Sequence, residues 1–319
     1  LKKKNDKSDP FFANGLRDGT LEKRRTKLGS QQKVVVTCAL TGVLTDPAKF
    51  HVPVTPEEMA AATASAYNAG ASIMHCHFRD QRDGMGALPT WDLKTVGDIL
   101  AAIKDRVPDI IICMSTGIIG DDLSGPLGCL EAFKPEMAAC NAGSLNYLKI
   151  RKDGAWAWPP ILFDNPVEKI KRFLDVMRAH RIIPEFECFD TGIVRSVSLY
   201  RDNGMFDGDA HLSFVMGVDS GMPARPELLP ILKDELPQNA HWQVIATGPG
   251  REKIWNLHRR CIELGGDVRT GLEDTLYLPN GERAVSNEQL VEALVKMVRE
   301  VGKDVASPAE ARKILRIAH

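Results

Sequence analysis

The stretch ASIMHCHFRD (residues 71–80) reads as a buried strand that ends on two histidines. Alternate strand residues share a face, so His75 and His77 point one way, Cys76 points the other, and both imidazoles can reach one metal ion. Arg79 and Asp80 follow as an ion pair, expected to brace the strand end and to orient a ligand imidazole. Alone, the pattern equally suits two histidines hydrogen-bonded in the mouth of a barrel. The rest of the chain has to decide.

Working outward, short β-rich runs alternate with longer amphipathic ones. Strands are expected at 33–41, 71–78, 109–116, 136–141, 183–189, 210–218, 241–247 and 267–272. Helices are expected at 55–70, where Thr55 caps, Pro56 starts and Gly70 ends the helix, and at 91–107, 127–133, 166–180, 226–235, 250–264, 287–302 and 307–315. Eight strands alternating with helices demand a parallel sheet, and eight units in roughly 280 residues suit an α/β fold of the (β/α)8 TIM barrel type. A doubly wound open sheet is the alternative, but no Gly-x-Gly-x-x-Gly follows the first strand. The expected organisation is a basic N-terminal arm (1–30) and a barrel catalytic domain (31–319) with an extra C-terminal helix.

Composition sets limits. The 319 residues carry 41 Lys or Arg against 42 Asp or Glu, a net charge of −1, which argues against a general polyanion surface and so against nucleic acid as partner. The arm holds nine basic and four acidic residues without the apolar segment of a secretory signal; it reads as a tail or as a contact to a neighbouring subunit. No run approaches the roughly 20 apolar residues of a membrane span. Seven cysteines show no Cys-x-x-Cys spacing, which fits a reducing, cytoplasmic setting with cysteine as core filler.

Polar residues gather at the carboxyl ends of the expected strands, and in a barrel these ends converge on one face. They are Ser115, Thr116 and Gly117 after the third strand, Asn141, Gly143 and Ser144 after the fourth, Glu187 and Asp190 after the fifth, and Arg269, Glu273 and Asp274 after the eighth. Catalytic zinc usually takes three N or O ligands and keeps a position open, so His75, His77 and one carboxylate make a chemically complete set. Glu273 is the first choice for that carboxylate, with Glu185, Glu187 and Asp190 as rivals. Asp274, beside a dication and near Arg269, is expected to stay ionised and to serve as base. The same ligand types also suit Fe(II).

The segments CALTG (38–42), VPVTPEEMA (52–60), GASIMHCHFRD (70–80), STG (115–117), KPEMAACNAGSLNY (134–147), PEFECFDTG (184–192), GMPARPE (221–227), VRTGLEDTLYLPNG (268–281) and SNEQLVE (286–292) keep their order over nearly everything after residue 33. In them the chain resembles the β-keto acid cleavage enzymes. The resemblance implies a (β/α)8 barrel with Zn2+ on His75, His77 and Glu273, Asp274 and Arg269 in the chemistry, and Ser115 and the loop 141–144 beside the substrate. It also implies the reaction: a β-keto acid and acetyl-CoA give acetoacetate and a new acyl-CoA. Thr116, Gly117 and Glu187 are further expected substrate contacts, and Arg251 can face a CoA phosphate or a substrate carboxylate. Members acting on amino-substituted keto acids are expected to carry a carboxylate where this chain has Leu44, so a neutral or anionic β-keto acid is expected here. A homodimer or homotetramer is expected by the same resemblance. A metal-dependent lyase or hydrolase without acetyl-CoA, and a metal-binding barrel without catalysis, remain the alternatives.

Overall fold

The computed structural model describes residues 33–248 and 251–317; the expected arm (1–30) lies outside them. Eight parallel strands close a barrel: β1 (Val36–Ala39), β2 (Ile73–Cys76), β3 (Ile111–Met114), β4 (Met137–Asn141), β7 (Ile183–Cys188), β8 (His211–Met216), β9 (His241–Ala246) and β10 (Asp267–Thr270), which pairs back onto β1. The expected (β/α)8 barrel is therefore the fold. Its helices are α1 (Pro56–Ala69), α2 (Leu93–Arg106), α3 (Ser124–Phe133), α4 (Val167–Ala179), α5 (Thr191–Asp202), α6 (Leu229–Asp234), α7 (Arg251–Glu263), α8 (Asn287–Glu300) and α9 (Pro308–Ile314). No helix among the described residues is long and apolar enough to cross a membrane.

The period-two pattern of each strand divides the core. Outward residues such as Cys38, Met74, Ile112, Phe186, Phe214 and Val268 pack under the helices. A second cluster, inside the barrel, joins Val35, Ile73, Ile111, Cys113 and Met137 to Ala311 and Leu315. The C-terminal helix α9 thus packs apolar side chains against the amino end of the barrel, and His75, Asn141, Glu187 and Arg269 face inward at the opposite, carboxyl end. Local chemistry agrees at the helix starts. Thr55 and Glu58 form a reciprocal capping box on α1, with Pro56 in the first turn and Gly70 left-handed at the end.

Two elements depart from the expectation. A two-stranded antiparallel hairpin, β5 (Leu145–Tyr147) with β6 (Ile161–Phe163), stands between β4 and α4; three-residue strands are too short to leave a periodic signal. Helix α5 (Thr191–Asp202) also escapes the reading, because Ser and β-branched residues depress its helix propensity. Its signal was there: Asp190 accepts from the Ile193 amide at 2.8 Å, and Ile193, Val194, Val197 and Tyr200 share the buried face. All seven cysteines are free and buried.

Candidate active site

The carboxyl ends of the strands open into a cavity of about 320 Å³. Inward-facing His75 and His77 meet Glu273 there, with Glu273 Oε1 lying 3.6 Å from His75 Nε2 and 3.4 Å from His77 Nε2. The ligand atoms of these three side chains lie within 4.8 Å of one another. Both nitrogens of His75 and Oε2 of Glu273 are buried without a hydrogen-bond partner. Such atoms are costly to strand away from water, and a cation among them would remove the cost. The donor set therefore fits a zinc ion.

His75, Cys113 and Glu185 form a second close group. There the carboxylate is already engaged: Ser213 donates to Glu185 at 2.7 Å, Gln243 at 3.1 Å and the Cys113 thiol at 3.1 Å. Asp190, another rival ligand, is committed to capping α5.

Arg269 is the buried hub beside this set. It donates to Asp274 through Nε at 3.1 Å and Nη2 at 2.9 Å, to Glu273 at 2.5 Å and to Glu187 at 3.5 Å. Burial opposes its charge, but Asp274 and Glu273 outweigh burial and hold the guanidinium firmly protonated. Glu273 shows the same contest with the opposite sign. Burial would raise its pKa, yet Arg269 and then the two imidazoles hold it well below the usual carboxylate range. Burial and Arg269 push His75 well below its usual value, leaving the neutral imidazole that a metal requires.

Asp274 is likewise buried against Arg269. Burial outweighs its bidentate bond to Arg269, and its pKa is pushed up to about 6. Glu187 goes further, to about 8, because burial and the neighbouring Glu185, Glu273 and Asp274 overcome Arg269. The two carboxyls are thus pushed to different pKa values, a separation that suits proton transfer.

Of the expected substrate contacts, Ser115, Gly117, Asn141 and Glu187 line the cavity with His77, Arg269, Glu273 and Asp274. Asn141 Oδ1 is buried and unpartnered. Thr116, Gly143 and Ser144 stand back from it. The Thr116 hydroxyl donates to the Ala139 carbonyl at 2.6 Å, Ser144 Oγ accepts from the Asn165 amide at 2.7 Å, and Gly143 packs on Ile193. The side chain of Arg251 lies outside the described residues.

Arg79 and Asp80 do not pair. Asp80 binds Arg82, while the buried Arg79 donates to Thr41 Oγ1 and to the carbonyls of Thr41, Gly42, Thr45 and Gly86. It braces the loop after β1 rather than an imidazole. That loop cups Glu273: Gly42 is left-handed (φ 55°), and a Cβ there would sit 2.6 Å from Glu273 Cγ. Asn287 secures the other side, donating to the Leu40 carbonyl at 2.9 Å and accepting from the Leu272 amide at 2.9 Å. Gly271 lets the turn before Glu273 approach β1, since a Cβ would lie 2.0 Å from the Ala39 carbonyl oxygen.

The family model of the beta-keto acid cleavage enzymes matches residues 33–317. The chain belongs to that family. Among curated relatives of this family member, the 3-keto-5-aminohexanoate cleavage enzyme of Fusobacterium nucleatum is 33% identical over 294 residues, covering 89% of this chain and 98% of the relative. The 3-oxoadipate:acetyl-CoA acetyltransferase of Cupriavidus necator is 32% identical, covering 89% and 95%. Among solved structures, ObcA in complex with a C4-CoA adduct and oxalate superposes with a TM-score of 0.64 at 21% identity, over 83% of this chain and 67% of ObcA; it supports the barrel fold.

Proposed function

We propose that this family member is a zinc-dependent enzyme that cleaves a neutral or anionic β-keto acid with acetyl-CoA, releasing acetoacetate and a new acyl-CoA. One observation carries the reading. Three side chains with converging metal-ligand atoms, two of them (His75 and Glu273) with stranded buried atoms, sit beside Asp274, a carboxylate raised to about 6 and gripped by Arg269. The names of the relatives support the same chemistry, since one is a cleavage enzyme for a keto acid and another an acetyl-CoA acetyltransferase.

His75, His77 and Glu273 would hold the zinc, which when bound supplies Lewis acidity toward the oxygens of the keto acid. Asp274 removes the C2 proton, its carboxylate aimed by two hydrogen bonds from Arg269. C2 then attacks the acetyl carbonyl, and the departing CoA thiolate adds to the original keto carbon. Breaking the C2–C3 bond frees acetoacetate, built from the acetyl group and the substrate's CH2–COO− end, and leaves the rest of the keto acid on CoA. Asp274 returns its proton to the product carbanion. The Ser115 hydroxyl, the Asn141 amide and protonated Glu187 line the same cavity and can donate hydrogen bonds to the developing oxyanions.

The test is acetoacetate release from a panel of β-keto acids with acetyl-CoA, alongside metal analysis of the pure protein. Acetoacetate formed only with acetyl-CoA and bound zinc is the expected result. A zinc-loaded protein that yields none refutes the reaction, and turnover without acetyl-CoA assigns a lyase or hydrolase instead.

A further inference from the structure

The cavity is divided in its chemistry. Its ionisable residues, His77, Glu187, Arg269, Glu273 and Asp274, are gathered at the strand ends. The wall beyond them is apolar and includes Ile118, Ile161, Phe163, Phe189 and Val218. At the rim Leu44, Ile119 and Leu162 are 74%, 65% and 52% exposed. Three large apolar side chains open to water around one cavity are the signature of a surface that a ligand covers.

We infer that the tail of the keto acid is an uncharged alkyl chain that runs from the metal-ligand set along this wall to the Leu44, Ile119 and Leu162 rim. The inference rests on the reaction proposed above and narrows its substrate. Among the described lining residues, the single guanidinium, Arg269, is consumed by Asp274, Glu273 and Glu187. Lys149 and Asp219 belong to the adjoining cavity at the Tyr147 and Trp158 end, and among the described lining residues no cation and no carboxylate beyond the strand-end set stands on the Ile118, Ile161 and Phe163 wall. An aromatic cage for a quaternary ammonium is disfavoured too. The Lys149 ammonium already lies 5.4 Å from the ring centroid of Trp158, and Tyr147 stacks on that ring at 5.9 Å.

The wall is also held in place before any ligand arrives. The Lys169 ammonium, 6% exposed, donates to the carbonyls of Ile118 at 3.2 Å, Gly120 at 3.1 Å and Asp164 at 2.8 Å. It ties the loop carrying Ile118 and Ile119 to the end of the hairpin carrying Ile161, Leu162 and Phe163. A fixed apolar surface converts buried methylenes into affinity without an ordering cost.

The test uses zinc-loaded protein and the straight-chain series from 3-oxopentanoate to 3-oxooctanoate. Binding is read by titration calorimetry without acetyl-CoA, and kcat/KM is read with it. Each methylene should improve both by about fourfold, or about 60-fold across the series. 3-Oxoadipate and 5-amino-3-oxohexanoate should fall below 3-oxohexanoate. Leu44→Arg and Ile119→Arg alter exposed rim positions that folding does not need, and each should flatten the series and favour 3-oxoadipate. A flat series in the wild type, a charged acid preferred over its alkyl counterpart, or rim variants with unchanged preference would overturn the inference. Alkyl acids that bind progressively tighter but release no acetoacetate would instead sink the reaction and leave the tail site standing.

Discussion

Glu187 should be a residue the fold keeps at a cost. In the folded state its carboxyl titrates at about 8 against an ordinary 4.5, chiefly because burial penalises the charge and three acidic neighbours add to that penalty. Between these two values the folded protein holds a proton that the unfolded chain has released. Stability contributed by the neutral carboxyl is therefore full below about pH 4.5, declines as pH rises, and is lost once pH passes about 8. For a wholly dry site the difference at pH 7.5 amounts to about 4 kcal/mol. The side chain is 15% exposed, and water reaching it brings the expected effect to about 2 kcal/mol.

Glu187→Gln removes the titration while keeping an oxygen that can accept from Arg269 and an N–H that can donate into the cavity. EDTA-treated variant and wild type should have similar stability in urea near pH 4.5. At pH 7.5 the variant should be the more stable by about 2 kcal/mol, a shift of about 3 °C in melting temperature for a domain of this size. Zinc-loaded Glu187→Gln should stay active at pH 7, because its amide N–H still donates into the cavity. Parallel stability curves from pH 4.5 to 8 would show that Glu187 is charged throughout and would refute the reasoning.

Metal loss gives a second check: His75→Ala and Glu273→Gln should each fall to well below one zinc per chain by elemental analysis, whereas full occupancy in Glu273→Gln would move the third ligand elsewhere. Asp274→Asn should keep its zinc and lose about 10²–10⁴-fold in kcat, as for removal of a general base; undiminished kcat would exclude Asp274 as that base. Gly42→Ala should cost about 1 kcal/mol for its left-handed backbone and, because its Cβ would press on Glu273 Cγ, weaken zinc binding by about tenfold or more. Unchanged zinc affinity in that variant would show that the loop after β1 does not position Glu273.

The barrel was legible because burial on both faces of its strands and 3.6-residue periodicity on its helices leave long, regular traces. The site was legible for the same reason: His75 and His77 share a strand face, and a parallel barrel brings every strand's carboxyl end to one mouth. Glu273 then joins residues nearly two hundred positions away without any local motif linking them. What escaped depends on partners rather than on pattern. Arg79 followed by Asp80 looks like an ion pair, yet Arg79 spends itself mostly on backbone carbonyls, which have no sequence signature. That burial lifts the Asp274 carboxyl toward neutrality despite the arginine beside it has no sequence signature either, because burial is a property of the folded mouth. The apolar wall escaped for a third reason. It is assembled from the β3–α3 loop, the short β5–β6 hairpin and the residues after β7 and β8, segments whose spacing obeys no period. A cluster of metal-ligand side chains on strand ends is therefore readable from one chain, whereas an apolar surface built from loops is readable only once those loops are brought together.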